Sequence, residues 1–362
     1  MKTKQLIPIL QTILASILVS ACITPKPTQP LTPNKDNIVQ NGSVYYWKTT
    51  FKLGENEKSF LSKHNISKLY LRMFDVALDD DNKNNREPVP IATIKFESAV
   101  PDSLEVVPTV FITLDALKRC EGNEAEMAGK IIKRVSAICS YNDIMNVQEV
   151  QFDCDWTSST RGIYKKLCEA AKEILHEQHK ELSGTIRLHQ VAEAIYPFDR
   201  GVLMLYNTGT IKDPDTGNSI ISYEDVNKYL GVKKRINKFK EARKNNCSII
   251  DFAYPTFSWG VVYHEDGKFD GLIDIFEFEN QEWLSKESET KYVVTDRQCY
   301  NGKWYWEGQF IRTEYSDIKE VLKVKDLVNH TLRDDKSSNI IYHLDSKNLS
   351  KYSDNEIENI LR

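Results

Sequence analysis

Short runs of β-branched and aromatic residues alternate along this chain with longer stretches whose apolar residues return every third or fourth position. That rhythm predicts strands separated by helices. Strands are expected at Val44 to Phe51, Lys68 to Val76, Val106 to Thr113, Gln148 to Trp156, Leu182 to Gln190, Gly201 to Asn207, Ser248 to Phe257 and Asn339 to Asp345. Helical periodicity occupies Glu55 to Lys63, Glu124 to Cys139, Arg161 to His179 and Tyr223 to Lys244. A closing helix begins near Ser353, with Glu356 placed to complete a capping box. The stretch from Asp79 to Asn85 has only polar residues and reads as a loop. Eight strands alternating with helices fit an α/β fold of the (β/α)8, TIM-like barrel type. No glycine-rich phosphate loop follows the first strand, as an open dinucleotide-binding sheet would want. The departure is a long insertion at about 259–332, between strands seven and eight. It contains Cys299-Tyr300-Asn301-Gly302-Lys303-Trp304-Tyr305-Trp306, where Asn-Gly supplies a tight hairpin turn between aromatic strands. This hairpin either stacks on a ligand at the barrel rim or packs its rings as a small core of its own.

The first 42 residues follow another pattern. Lys2 and Lys4 precede an apolar run from Leu6 to Val19, too short to span a bilayer, which ends in Val19-Ser20-Ala21-Cys22. This arrangement resembles a bacterial lipoprotein signal, which implies that Cys22 becomes the acylated first residue of the mature protein and anchors it to a lipid bilayer. An ordinary secretory signal in which a cysteine falls there by chance is the alternative. Residues 23–42 carry four prolines and no apolar periodicity, the composition of an extended tether, so that the folded domain is expected over 43–362. The localisation expected is the cell envelope, at a membrane, with the leaflet unspecified.

Composition narrows the chemistry only slightly. The 362 residues are 41% hydrophobic with a formal net charge of -4, and no stretch interleaves dense Lys/Arg with aromatics, so nucleic acid is not an expected partner. Apart from Cys22 the cysteines are Cys120, Cys139, Cys154, Cys168, Cys247 and Cys299; none forms a close pair of the kind a structural zinc needs. Export permits disulfides, while the apolar surroundings of several cysteines suit buried thiols equally well. No cofactor and no metal is expected.

If the chain is a barrel, chemistry belongs at the carboxyl ends of its strands. The fourth strand ends in Phe152-Asp153-Cys154-Asp155-Trp156, and with a period of two Asp153 and Asp155 share one face. Two carboxylates there are costly unless they share a proton, meet cations or do chemistry. On the fifth strand Thr185, Arg187 and His189 share a face, and on the second Arg72 or Asp75 can reach the rim. Tyr206, Asn207, Asp251, Tyr254, Trp259, His343 and Asp345 lie at or near later strand ends. An ion pair of Arg187 with Asp153 or Asp155 and no catalytic part is the plainer alternative. Metal-dependent hydrolysis through Asp153, Asp155, His189 and His343 has suitable ligand types but no recognisable spacing.

The Asp-x-Asp ending of strand four, with Thr185-Ile186-Arg187-Leu188-His189-Gln190, Leu205-Tyr206-Asn207 and Tyr342-His343-Leu344-Asp345, resembles an uncharacterised group of bacterial lipoproteins whose predicted fold is a glycoside-hydrolase-like barrel. The likeness covers Ser43 to Arg362. The strand-four motif also resembles that of chitinase-like barrel glycosidases, which end it with a glutamate acid two residues after an aspartate. Thr157 stands at that position here, so their substrate-assisted mechanism is not implied. The expected function is a glycoside hydrolase acting on a polysaccharide or glycan through paired carboxylates, with Asp155 as acid and Asp153 charged and held by Arg187. The opposing carboxylate would be Asp345 or Asp251, and Arg72, Arg187, His189, Tyr206, Asn207, Tyr254, Trp259 and His343 would contact substrate. The alternative is a non-catalytic glycan-binding or envelope-assembly lipoprotein.

Overall fold

The computed structural model describes residues 42–79, 86–193, 196–247, 249–274 and 281–362. The signal and tether, and most of the polar loop at 79–85, lie outside the described residues. Eight parallel strands form the central sheet: β1 (Gly42–Tyr46), β2 (Ile66–Leu78), β3 (Glu105–Ile112), β4 (Glu149–Asp153), β5 (Glu181–Ile186), β6 (Arg200–Met204), β7 (Ile249–Pro255) and β8 (Asn339–Tyr342). They pair in chain order, and β1 pairs with both β2 and β8, so the sheet closes into the expected barrel.

Helices α1 (Glu55–Lys63), α2 (Glu124–Tyr141), α3 (Arg161–Glu177), α4 (Tyr223–Leu230), α5 (Lys233–Asn246), α6 (Ile318–Thr331) and α7 (Asp354–Leu361) supply the outer layer. Their buried positions recur at helical spacing, as in Tyr164, Leu167, Cys168, Ala171 and Leu175 of α3, which join Val150 and Phe152 of β4 and Cys154 just after it in one core. Two connections lack a full helix among the described residues. Between β2 and β3 the chain makes two short strands, Pro88–Ile91 and Lys95–Phe96, and between β5 and β6 it makes a 3-10 turn, Leu188–Ala192. Several elements end earlier than the pattern predicts. Thr50–Phe51 is a separate strand beside Lys95–Phe96, β4 and β5 stop at Asp153 and Ile186, and the helix expected over Tyr223 to Lys244 is broken at Gly231 into α4 and α5.

The insertion is more than a hairpin. Strands Ser258–Tyr263, Phe269–Ile273, Leu284–Lys286, Lys291–Val294 and Phe310–Tyr315 make a five-stranded antiparallel sheet directly after β7; α6 then returns the chain to the barrel as the crossover to β8. The hairpin Gln298–Tyr300 and Lys303–Tyr305 turns at Asn301 and Gly302, both with positive φ (50° and 77°). Tyr305, Trp283, Val262, Val294 and Ile311 form a core separate from that of the barrel. Trp304 and Trp306 stay half exposed with the Arg297 guanidinium 4.5 and 4.3 Å from their ring centroids. All six described cysteines are unpaired. Cys120, Cys139, Cys154, Cys168 and Cys247 are buried and Cys299 is exposed. Burial pushes Cys120 and Cys139 up to about 11 and Cys247 to about 12, which leaves them as inert packing groups.

The barrel interior is polar in tiers. At the amino ends of the strands Lys68 bridges Glu149 (2.9 Å) and Glu105 (2.8 Å), and Arg200 meets Asp251 (2.7 Å). In the middle, Tyr45 donates to Gln151 (2.7 Å), whose amide donates to Ser183 (3.3 Å), while Tyr45 stacks on Tyr70. Glu149 is 2% exposed and its charge is tolerated because Lys68 is beside it. Lys68→Met should therefore cost about 3–5 kcal/mol in denaturant unfolding. Adding Glu149→Gln should recover a large part of the loss, since what destabilises is the uncompensated charge.

Candidate active site

The third tier opens at the carboxyl ends of the strands. Asp153, the last residue of β4, is 2% exposed and accepts two hydrogen bonds at one oxygen: Thr185 Oγ1 donates to Oδ1 at 2.6 Å and Arg187 donates to the same atom at 3.1 Å. Oδ2 has no hydrogen-bond partner among the described residues. Asp155, two residues on and 54% exposed, is bound by Nε of the same arginine. Arg187 thus holds both aspartates of the motif, and a third contact reaches Met204 Sδ. Burial raises the Asp153 carboxyl above the usual carboxylate range. Arg187 and Thr185 pull it back, and the charges of Asp155 and Asp75 push it up further. Burial opposes the charge on Arg187, yet the two aspartates keep it protonated more firmly than a free arginine.

Gln190 fixes this geometry. It is fully buried in the 3-10 turn after β5; its side-chain oxygen accepts from the Arg187 backbone N–H (2.9 Å), and its amide donates to the carbonyls of Cys154 (3.2 Å) and Trp156 (2.9 Å). It therefore ties the loop after β4 to the loop after β5, bringing Asp155 to Arg187. The turn also takes His189 off the face of Thr185 and Arg187: the strand predicted through Gln190 ends at Ile186. Its imidazole lies 3.4 Å from the Trp156 carbonyl.

Two adjoining cavities occupy the mouth. One, of about 260 Å³, is lined by Asp153, Asp155 and Arg187 together with Trp47, Phe111 and Tyr342, and by Arg72 and Asp75 at its far side. The other, of about 350 Å³, shares Asp155, Arg187, Tyr206 and Asn207 with it and continues past His189 to Tyr229. Tyr206 and Tyr342 stack (centroids 4.3 Å apart, planes 23° apart), and Arg72 lies 5.6 Å from the Trp47 ring centroid. The Arg72 fork grips Asp75 through Nε (2.9 Å) and a second nitrogen. The result is a cleft with aromatic walls and charged groups along its floor.

Of the residues expected at the site, Arg72, Asp153, Asp155, Arg187, Tyr206 and Asn207 come together here, with His189 in the adjoining cavity. Asp251 does not join them. It sits on the amino-terminal half of β7, 1% exposed, held by Arg200 and by the Ser338 N–H (2.7 Å). Tyr254 has the opposite parity on β7, is fully buried among the outer helices, and lines neither cavity. Asp345 caps the short helix Ser346–Leu349, accepting from the Asn348 N–H (3.0 Å), and pairs with Lys48 (2.7 Å). Burial raises its carboxyl, but Lys48 and the cap bond outweigh that and leave it below the usual range. Trp259 donates to Glu314 (2.8 Å) and packs on Phe257, behind the Tyr342 wall rather than in it. His343 also lies outside both cavities; burial pushes its imidazole down to about 4.

The expected roles of the two motif aspartates do not match their surroundings. Asp153 is the group whose burial favours a proton, and Asp155 is the solvent-exposed one. Thr157 is taken up by a turn, its N–H donating to Thr160 Oγ1 (3.0 Å). Among the described residues no group of three His, Cys, Asp or Glu side chains is placed to hold a metal ion. Trp47, Phe111, Tyr342 and Gln190 went unassigned in the sequence, because aromatic and amide side chains at strand ends carry no signal that separates them from core.

No protein-family model matches the chain, and no curated protein matches it. Among solved structures it is similar to the spore cortex-lytic enzyme SleL of Bacillus megaterium QM B1551, at 12% identity and a TM-score of 0.49 over 91% of this chain and 76% of that one. It is also similar to a chitinase from Chromobacterium violaceum ATCC 12472 (9%, 0.46, 89% and 99%) and to the class V chitinase of Nicotiana tobaccum (12%, 0.45, 86% and 97%). At these identities the likeness concerns the course of the backbone alone. The strand pairings themselves make the protein a (β/α)8 barrel with an antiparallel sheet inserted after β7.

His343 supplies a pH signature. Its imidazole is held at about 4 in the fold against about 6.5 in the unfolded chain, so between those values the unfolded chain binds more protons and stability rises with pH. The contribution, at most about 3 kcal/mol, is complete above pH 6.5 and is lost as pH falls towards 4. Thermal melts of His343→Asn should lack this component of the acid sensitivity across that window.

Proposed function

We propose that this is a lipid-anchored cell-envelope protein whose barrel mouth binds a glycan and hydrolyses a glycosidic bond with Asp153 as the proton donor. The observation that carries this reading is a carboxyl group buried at the mouth, biased toward its protonated form, with one oxygen anchored and the other unbonded beside a cavity walled by rings. A sugar presents flat apolar faces and a fringe of hydroxyls. Trp47, Tyr206 and Tyr342 suit the first, and Asn207, Asp155 and Arg187 the second. A carboxylic acid protonating the leaving oxygen is the step a glycosidase requires. The anchor rests on the lipobox-like sequence ending in Cys22.

A second reading is favoured by one specific feature. Arg187 neutralises both motif aspartates and Arg72 grips Asp75, so every acid lining the 260 Å³ cavity is already paired. That is the arrangement of a binding cleft that has no chemistry to perform.

Incubating the detergent-solubilised full chain with a panel of bacterial, plant and host glycans separates the two. Under the hydrolase reading cleavage occurs, Asp153→Asn lowers it by about 10²-fold or more, and the rate falls as pH rises through the elevated Asp153 titration. Binding without cleavage, unaffected by Asp153→Asn, gives the binding protein instead. For the anchor, metabolic labelling should place palmitate on the wild-type chain and none on Cys22→Ser, which should leave the membrane fraction.

A further inference from the structure

A glycosidase that works through paired carboxylates needs a second one opposite its acid, and neither residue the sequence offered for that role lines the cleft. We infer that Asp75 is that second carboxylate, acting as the base that activates water; the inference rests on the hydrolase reading above.

The placement of Asp75 is a product of the backbone. On β2, strict alternation from Arg72 would turn Phe74 and Val76 inward and Asp75 away. The register with β3 slips between Arg72 and Phe74: Arg72 faces Thr109, Phe74 faces Val110 and Asp75 faces Phe111, so Met73 is an extra residue. This bulge restores Asp75 to the inner face beside Arg72, and re-aiming a side chain next to a site is what bulges do. One rung further, Phe111 is the register partner of Asp153 on β4. Asp75, Phe111 and Asp153 therefore lie across three adjacent strands at one height, and all three line the 260 Å³ cavity.

The rung also sets the spacing. Strands two apart are separated by roughly 9–10 Å at the backbone, and side chains leaning toward a barrel axis draw closer. That places the carboxylates near the roughly 6.5–9.5 Å of an inverting pair, too wide for the roughly 5–5.5 Å of direct attack by a carboxylate. In the step, the oxygen of a water molecule bonds to the anomeric carbon while Asp75 takes its proton. The bond from that carbon to the glycosidic oxygen breaks, its electron pair stays on the oxygen, and the Asp153 proton neutralises it. Arg72, forked onto Asp75 and backed by the Trp47 ring, is the positioning residue.

The test uses the full-length protein on whichever glycan of the panel it cleaves, with Asp75→Asn, Asp75→Ala and Asp153→Asn alongside and product anomers followed by proton NMR. Asp75→Asn preserves the hydrogen-bonding shape if Asp75→Ala weakens the fold. The expected result is a loss of about 10²–10⁴-fold in both Asp75 variants, an inverted product from the wild type, and turnover in Asp75→Ala restored by azide as a glycosyl azide. Cleavage lost in Asp153→Asn but kept within about threefold in Asp75→Asn would overturn the role of Asp75 and leave that of Asp153 standing. A retained anomer, or loss in Asp75→Ala without azide rescue, would overturn it too. No cleavage by the wild type removes both assignments together.

Discussion

One strand sets the terms for the rest of the molecule. β4 sends Glu149, Gln151 and Asp153 into the barrel at successive heights, three polar side chains where a barrel ordinarily stacks branched apolar ones. Each is at most 2% exposed, so each imposes a partner on its neighbours. Lys68 answers Glu149 from β2; Tyr45 and Ser183 answer Gln151 from β1 and β5; Thr185 and Arg187 answer Asp153. The polar residues of three other strands, β1, β2 and β5, follow from that one column.

At the top of the column the same rule changes character. A buried acid that is satisfied at both oxygens is structure; one satisfied at a single oxygen beside a cavity can exchange a proton with whatever enters. Asp153 is of the second kind because Thr185 and Arg187 converge on Oδ1. Glu149 also has an oxygen without a partner, but it lies at the closed amino-terminal floor, beyond the reach of either mouth cavity. Height in the barrel, more than residue type, separates the two carboxylates.

Height is also what the sequence did not reveal. The order and type of the eight strands were legible because the period of two and the helical period between them are local properties, and Asp153, Arg187, Tyr206 and Asn207 were found because they lie at predicted strand ends. Asp251 was misplaced because β7 begins close to it, which puts it on the floor with Arg200. Asp345 was misread because β8 stops at Tyr342 and the chain turns into a helix that the aspartate caps. Asp75 could reach the rim on the sequence pattern, but alternation allowed either it or Arg72 to face inward, and only a one-residue slip seen in the pairing admits both. Gln190 stands in the Thr185–Gln190 motif but had no role legible there; its importance comes from two carbonyls 34 and 36 residues away.

The insertion follows from the same geometry. Because it leaves the barrel right after β7, it rises on the side where the cleft opens, and Phe257 and Trp259 weld its root to the wall that Tyr206 and Tyr342 make. Glu314 finishes the joint: buried at 2%, it accepts from Trp259, from Ser219 in the loop after β6, and from Arg312, whose guanidinium also donates to the carbonyls of Asp213, Pro214 and Thr216. A loop of that length would otherwise leave its carbonyls to solvent. Here three of them are gathered by one arginine, which joins the loop after β6 to the inserted sheet as a shoulder beside β6 and β7. The mouth is therefore asymmetric: a braced shoulder on the side of β6 and β7, and, on the opposite side, the bulged end of β2 that presents Asp75.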